Sequence, residues 1–322
     1  CRSAVWNRQS WMMVSVCPLR ISTVCAFFAK GSNRRKKIKR LRELTKVAKS
    51  NQAHFWAQLS HAGRQTPYQI NKTPMAPSSV QLKIPGRRYG VPKEMSVEDI
   101  KNTINQFVQS AKLAQEVGFT GIQLHSAHGY LLSQFLSPIT NRRKDEWGGS
   151  LENRARFATE ILEASQKITS DSFKIGIRVS QWKQQDYEAK ITSDAEELKN
   201  FFNILKNAGA DFIHCSNRRF WEGEFETKGV NLAGVAKEAT GLPTISVGSV
   251  GLDKDFIKLY SGDHQTQTAD LDILHEKLNK SEFDLIAVGR ALLSDPDWAN
   301  KVQDGKEDQI IPFDKSFVEN YV

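Results

Sequence analysis

The chain has 322 residues, of which 39% are hydrophobic and 25% are charged, as expected for a soluble globular protein with one large α/β domain or two average domains. No apolar run reaches the roughly 18 to 20 residues that span a bilayer, so we expect no membrane segment. The four cysteines include no CxxC pair, which argues against a structural zinc or iron–sulfur site and against a disulfide scaffold. A cytoplasmic location is therefore expected.

The net charge of +9 arises at the N-terminal end of the sequence. Residues 1–50 contain 13 Lys/Arg and one Glu, a net +12, whereas the remainder contains 32 basic and 35 acidic residues, a net −3. The basic run from Lys30 to Arg42 is interpreted as a solvated helix start or linker, as a nuclear-localisation or RNA-contact patch, or as sequence outside the fold. We predict an atypical basic segment over residues 1–37 and a domain over residues 38–322, with nucleic acid an unlikely partner.

Helical and strand-like patterns alternate past residue 40. Helices are predicted over residues 37–52, 96–118, 151–168, 193–210, 230–241, 271–283 and 291–302. Strands are predicted near residues 55, 121, 175, 212, 244 and 285. Ser96 begins the second helix as a capping residue, and Asp99 lies where a capping box has Glu or Gln. The alternation predicts βα units and a parallel sheet.

Two architectures fit this order of elements. One is a six-stranded doubly wound sheet, and the other is a (β/α)8 TIM barrel whose first one or two strands are missing or disguised. WMMVSVC (11–17) and STVCAFF (22–28) are poor substitutes for those two strands. Polar residues follow strand after strand: Gln58, His61, His125, His128, Arg178, His214, Ser216, Gly248, Ser249, Gly289 and Arg290. A barrel gathers such strand ends on one face, so their number favours the barrel.

The last two predicted strands each end in glycine at the entry to a helix. Gly248 and Ser249 follow the first of them, and Gly289 and Arg290 follow the second. Glycine lets backbone N–H groups approach an anion, a helix N-terminus adds a favourable dipole, and arginine adds charge. The four residues together predict a site for a phosphate-bearing ligand.

The segment HSAHGY places His125, His128 and Tyr130 directly after a predicted buried strand. An HxxH pair can indicate metal, but no third ligand is apparent, so we expect none. Two histidines can instead donate hydrogen bonds to a carbonyl or nitro oxygen, and a tyrosine can supply a proton. Arg178 is either a structural salt-bridge partner or a cation beside a cofactor, and Gln58 offers both an amide donor and an acceptor.

Four stretches resemble the old yellow enzyme family of FMN-dependent NAD(P)H:flavin oxidoreductases. They are AQLSHAGR (57–64), GFTGIQLHSAHGYLLSQFLSPITNRRKDEWGGSLENRARF (118–157), IRVS (177–180) and AVGRALLSDPDW (287–298). The resemblance covers residues 38–312 and implies a flavin-binding (β/α)8 barrel that holds FMN at its C-terminal face. The family's first strand, similar to NRIVMAPM, has no counterpart in this sequence.

The resemblance also implies a role for each candidate residue. Gln58 and Arg178 would hydrogen-bond the flavin ring, and the glycine-associated residues above would hold its phosphate. His125 and His128 would bind the activating oxygen of the substrate, and Tyr130 would donate a proton. The aromatic residues Trp182, Tyr187, Phe220 and Trp221 would cover the substrate or simply pack in their loops.

The implied activity is transfer of hydride from NADH or NADPH, through flavin N5, to the β-carbon of an α,β-unsaturated carbonyl or a similar electron-poor alkene. The expected partners are a small enone-type substrate and no membrane, and a homo-oligomer is compatible with the sequence. The alternative is a truncated, flavin-free and non-catalytic barrel with a basic N-terminal tether.

Overall fold

A computed structural model describes residues 11–14, 34–50, 53–183, 185–225, 229–253, 266–314 and 316–319. The chain divides into two compact units, Cys1–Ile213 and His214–Val322, and each is described by itself. The predicted substitute strand over residues 22–28 lies outside the described residues. The predicted domain limits at residues 37 and 38 remain a prediction.

The first unit alternates parallel strands with helices. Its strands are β1 (Trp11–Val14), β2 (His54–Leu59), β3 (Met75–Ala76), β4 (Lys93–Glu94), β5 (Gly121–His128), β6 (Lys174–Lys183) and the start of β7 (Phe212–Ser216). Its helices are α1 (Arg34–Ala48), α2 (Val97–Glu116), α3 (Leu131–Leu136), α4 (Leu151–Gln166) and α5 (Ala195–Asn207). A single 3-10 turn, Gly63–Gln65, follows β2.

The central strands of the first unit pair in parallel and lie in the core. β1 pairs with β2, β2 with β5, and β5 with β6. Every residue of β5 is buried, including the polar residues Gln123, His125, Ser126 and His128. The prediction that WMMVSVC substitutes for an early strand is confirmed for Trp11–Val14.

Helix α2 shows how the local sequence sets its own limits. The Ser96 hydroxyl accepts a hydrogen bond from the Asp99 N–H, and the Asp99 carboxylate accepts one from the Ser96 N–H. Asp99 therefore completes a capping box in the place of Glu or Gln. The same contacts lower the pKa of Asp99. The helix ends before Gly118, whose φ of +99° suits glycine.

Helix α1 carries the basic residues of the N-terminal run and begins at Arg34, three residues before the predicted start. Thr45, on this helix, is buried and donates a hydrogen bond from its hydroxyl to the Val117 carbonyl oxygen at 2.7 Å. The last part of the basic helix is thus attached to the end of α2.

The second unit continues the same alternation. It contains the end of β7, then α6 (Leu232–Thr240), β8 (Thr244–Val247), α7 (Asp272–Asn279), β9 (Leu285–Ala287), α8 (Ala291–Ser294), α9 (Trp298–Gln303) and α10 (Ser316–Glu319). β8 and β9 pair in parallel, with Val247 opposite Ala287. The single helix predicted over 291–302 is wrong, because two short helices, α8 and α9, occupy those residues. The other predicted helices and strands are confirmed to within a few residues.

Candidate functional site

The end of β5 carries the histidine pair, and the backbone there departs from a regular strand. The pairing of β5 with β6 shifts between Ser126 and His128. His128 has a φ of +60°, a conformation that costs a residue with a side chain about 1–3 kcal/mol. Two hydrogen bonds hold it there: its N–H donates to the Ser180 hydroxyl at 3.0 Å, and its carbonyl oxygen accepts from the Gln65 amide at 3.0 Å.

The aromatic rings of the segment HSAHGY form one cluster. The His125 ring centroid lies 5.5 Å from that of His128 and 4.7 Å from that of Tyr130, both in edge-on orientations. The Trp182 ring lies 4.6 Å from the His128 ring. Tyr130 is half-buried and immediately precedes helix α3 as its N-cap residue. The structure thus brings the three predicted catalytic side chains together.

His125 is held in one neutral form. Burial, and then the positive charge of Arg178, lower the pKa of His125 to about 3. Its Nδ1 accepts a hydrogen bond from the Ala127 N–H at 3.3 Å, so the ring proton resides on Nε2. Within the described residues, Nε2 has no protein partner. The imidazole therefore offers one N–H donor that does not titrate near neutral pH.

Arg178 lies on β6 directly opposite His125 in the parallel register. Burial lowers the pKa of Arg178 to about 10, so the guanidinium remains charged at neutral pH. A fixed cation beside a neutral imidazole makes this part of the unit favourable for an electron-rich or anionic group.

Gln58 is buried on β2 opposite Gln123 of β5. Its amide nitrogen donates to the Gln123 side-chain oxygen at 2.8 Å. This bond fixes the orientation of the Gln58 amide. Its oxygen makes no hydrogen bond within the described part of the chain and can accept one from a ligand.

The sequence did not single out Gln134, which joins the two loops beside the histidine pair. Its side-chain oxygen accepts from the Arg64 N–H at 3.2 Å, and its nitrogen donates to the Ala62 and Gly129 carbonyl oxygens at 3.3 and 2.7 Å. Gly63 packs so closely on this amide that an added Cβ would lie 2.4 Å from it. Gln134 is fully buried in the mostly apolar α3, where a sequence pattern gives no sign of its partners.

Lys183 was also missed, because β6 was expected to end at Ser180. The strand continues to Lys183, whose side chain is only 2% exposed. Its ammonium group donates to the Ser137 hydroxyl at 2.8 Å, just past the end of α3. Burial lowers the pKa of Lys183 to about 8, and nearby Asp186 partly opposes this shift. Lys183 thus attaches the helix that follows Tyr130 to strand β6.

The predicted phosphate residues lie in the second unit at the ends of two paired strands. Gly248 has a φ of +143°, and a Cβ there would lie 2.7 Å from the Asn217 carbonyl oxygen. Ser249 has a φ of +52°, and its buried hydroxyl makes no hydrogen bond within the described residues. Gly289 has open space where a Cβ would be, and the Arg290 guanidinium lies 5.9 Å from the Phe313 ring.

This second set fits a phosphate. Gly248 stands at a position where a larger residue would clash with the backbone, and the buried hydroxyl of Ser249 follows it without a hydrogen bond in the described residues. The oxygen atoms of an anion could accept a hydrogen bond from that hydroxyl. The described residues contain no group of three or more His, Cys, Asp or Glu side chains that could hold a metal ion. No helix in the described ranges is long and apolar enough to cross a bilayer.

A family model of the NADH:flavin oxidoreductase / NADH oxidase family matches residues 29–309. The chain belongs to this family. Membership confirms the resemblance seen in the sequence, the (β/α)8-type α/β fold class, and the class of NAD(P)H-dependent flavin oxidoreductase with FMN as cofactor.

Several characterised proteins are similar to this chain. It is 32% identical over 282 residues to an NADH oxidase of Thermoanaerobacter brockii, and the match covers 83% of this chain and 39% of that protein. It is 34% identical over 257 residues to an NADPH dehydrogenase of Clostridium acetobutylicum, covering 79% of this chain and 68% of that one. An NADPH dehydrogenase of Bacillus subtilis is 32% identical, with 80% and 68% covered.

Two solved structures share the fold. Histamine dehydrogenase from Rhizobium sp. 4-9 matches with a TM-score of 0.68 and 26% identity over 85% of this chain and 38% of that chain. A 2-naphthoyl-CoA reductase matches with a TM-score of 0.69 and 22% identity, over 86% and 42%, which bears on the fold alone. This chain therefore spans well under half the length of the longer relatives.

Proposed function

We propose that the chain reduces the carbon–carbon double bond of α,β-unsaturated carbonyls, or of similar electron-poor alkenes, with NAD(P)H as reductant. Bound FMN would supply the hydride-transfer chemistry between NAD(P)H and the β-carbon of the alkene. Gln58 and Arg178 contact the flavin ring in this proposal. Its phosphate is held by the residues that follow β8 and β9, namely Gly248, Ser249, Gly289 and Arg290.

The observation that carries the proposal is the cluster of His125, His128 and Tyr130, in which the Nδ1 of His125 accepts from the Ala127 N–H and leaves Nε2–H as a donor. The Nε2–H of His125 donates a hydrogen bond to the carbonyl oxygen of the substrate. The ring does not transfer this proton completely, because the neutral imidazole would then become an anion. The hydrogen bond strengthens as charge develops on the oxygen, which favours hydride addition at the β-carbon. His128 donates the second hydrogen bond to the same oxygen.

Tyr130 holds the proton that completes the reaction. Its ring lies against His125, and its position at the N-terminus of α3 is fixed by the hydrogen bond from the Gln134 N–H to its carbonyl oxygen at 2.8 Å. The phenol donates its proton to the α-carbon, and solvent restores it. Hydride and proton together saturate the double bond.

The Trp182 ring is tilted against that of His128, and the Tyr187 ring lies 5.3 Å from Trp182. Both aromatic rings are proposed to cover the substrate. We further propose that the chain acts in the cytoplasm, since Cys215 is a buried free thiol and the sequence has no CxxC pair.

The test is an absorbance spectrum of the purified chain after addition of FMN and removal of the excess. Flavin absorbance that persists, bleaches with NADPH without oxygen, and returns on addition of cyclohexenone supports the proposal. His125→Leu should retain flavin and lose about 10²-fold or more in the cyclohexenone step. A colourless chain would contradict it and favour the flavin-free alternative.

A further inference from the structure

A loop in the first unit, residues 81–89, forms a groove of its own. We call it the basic loop. It lines a volume of about 420 Å³, and its sequence QLKIPGRRY contains three of the chain's cationic residues. None of these belongs to the set of flavin and substrate residues described above.

Hydrogen bonds fix the shape of the basic loop. The Arg87 N–H donates to the Ile84 carbonyl oxygen at 3.1 Å and closes a turn around Gly86, whose φ is +73°. The Arg88 carbonyl oxygen accepts from the Tyr68 N–H at 3.1 Å, and the Tyr89 carbonyl oxygen accepts from the Gln81 side chain at 2.8 Å. The cationic side chains are therefore presented from a defined backbone.

Within the part of the chain that the structure describes, no carboxylate is paired with the charges on the basic loop. The sequence from Leu44 to Lys93 contains no Asp or Glu. Within the described ranges, Lys83, Arg87 and Arg88 form no ion pair, and neither does Lys72. The Arg88 guanidinium lies 3.8 Å from the Tyr68 ring centroid and the Lys72 ammonium lies 5.9 Å from it. Cations gathered around one ring without a counter-ion repel one another, and an anion relieves that repulsion.

The basic loop is attached to the residues that hold the histidine pair. Arg64 donates from its guanidinium to the Val80 carbonyl oxygen at 3.1 Å, directly before the loop. The next residue, Gln65, donates to the His128 carbonyl oxygen. Arg64 and Gln65 thus link the segment before the basic loop to the residue that carries the second histidine ring.

We propose that the basic loop binds the phosphate group of a ligand whose reactive end lies at the histidine pair, an inference that rests on the proposed function. Arginines bind phosphate oxygens with two N–H donors each, and Arg87 and Arg88 supply two such groups in adjacent positions. The phosphate belongs either to the ribose 2′-position of NADPH or to the alkene substrate.

The test compares Arg87→Gln/Arg88→Gln with a matched control, Lys101→Gln/Lys112→Gln, which removes two exposed positive charges from α2. Binding of 2′,5′-ADP and of inorganic phosphate is titrated by calorimetry in a phosphate-free buffer. The arginine variant should weaken binding of both probes at least about tenfold, and the control should not. Arg87→Lys/Arg88→Lys, which keeps the charges, should recover part of the loss.

Steady-state kinetics then identify the source of the phosphate. A KM that rises about tenfold for NADPH, with the KM for NADH unchanged, assigns the loop to the reductant. Weakened binding of the probes with no change in either KM assigns it to the alkene substrate. Failure of both probes to bind the parent chain, or equal binding to parent and arginine variant, overturns the inference. The titration needs no flavin, so a colourless chain that binds 2′,5′-ADP through Arg87 and Arg88 would refute the proposed function but not the phosphate site.

Discussion

The neutral state of His125 makes a quantitative prediction about acid stability. The folded pKa is about 3, whereas an exposed histidine has a pKa near 6.5. Between these two values the unfolded chain binds a proton that the folded chain does not. The stability that His125 contributes is therefore complete above about pH 6.5, and it is lost as the pH falls from 6.5 towards 3.

The size of the loss follows from the two pKa values. Between pH 7 and about pH 4.5, the difference in proton binding lowers the free energy of unfolding by about 2.5 kcal/mol. His125→Gln keeps a polar side chain of similar reach that cannot be protonated. The stability gap between the parent and this variant should therefore shrink by about 2.5 kcal/mol over the same range.

Urea unfolding followed by tryptophan fluorescence at the two pH values measures this gap. His275→Gln is the control, because it makes the same substitution at a partly exposed side chain outside the ring cluster. A gap for His125→Gln that is the same at both pH values would refute the reasoning. It would mean that the imidazole is protonated in the folded chain and is not the neutral donor on which the mechanism depends.

Three further substitutions test other parts of the structure. Lys183→Met removes the hydrogen bond to Ser137, and kcat for enone reduction should fall about tenfold in steady-state kinetics. Urea unfolding should show that the free energy of unfolding changes by no more than about 1 kcal/mol. Gly248→Ala introduces a Cβ 2.7 Å from a backbone carbonyl oxygen, and it should raise the Kd for FMN at least about tenfold, as measured by fluorescence titration. The control is Gly241→Ala, whose added Cβ has no atom within 4 Å and which should leave the Kd for FMN unchanged. Ser96→Ala deletes the helix cap and should cost about 1 kcal/mol of stability without altering turnover, as thermal melting and assay would show.

The helices were predictable because their burial is periodic. The stripe on α2 is an example: Ile100, Ile104, Phe107, Ala111 and Ala114 recur at helical spacing, and all are buried. The sequence also showed Asp99 at the place of Glu or Gln in a capping box. Only the structure shows that its carboxylate accepts the hydrogen bond from the Ser96 N–H and that its own N–H donates to the Ser96 hydroxyl.

The histidine cluster was predictable for a different reason. His125, His128 and Tyr130 are close in sequence, so a single turn after one strand brings them together. Gln134 and Lys183 were not predictable, because each acts through partners far away in sequence. The Arg64 N–H lies 70 positions from Gln134, and Ser137 lies 46 positions from Lys183. Such pairs are set by tertiary packing, which a periodic pattern does not report.

The hydrogen bonds of Gln134 have a consequence for ligand binding. The buried amide of Gln134 joins the loop of Ala62 and Arg64 to the loop of Gly129, next to His128. Neither loop can move without the other, because the separation would leave buried hydrogen-bond donors and acceptors unsatisfied. Both ends of a ligand would thus meet surfaces that are already ordered before it arrives. Such preorganisation lowers the entropic cost of association, so that affinity depends more on the fit of the ligand than on closing a lid.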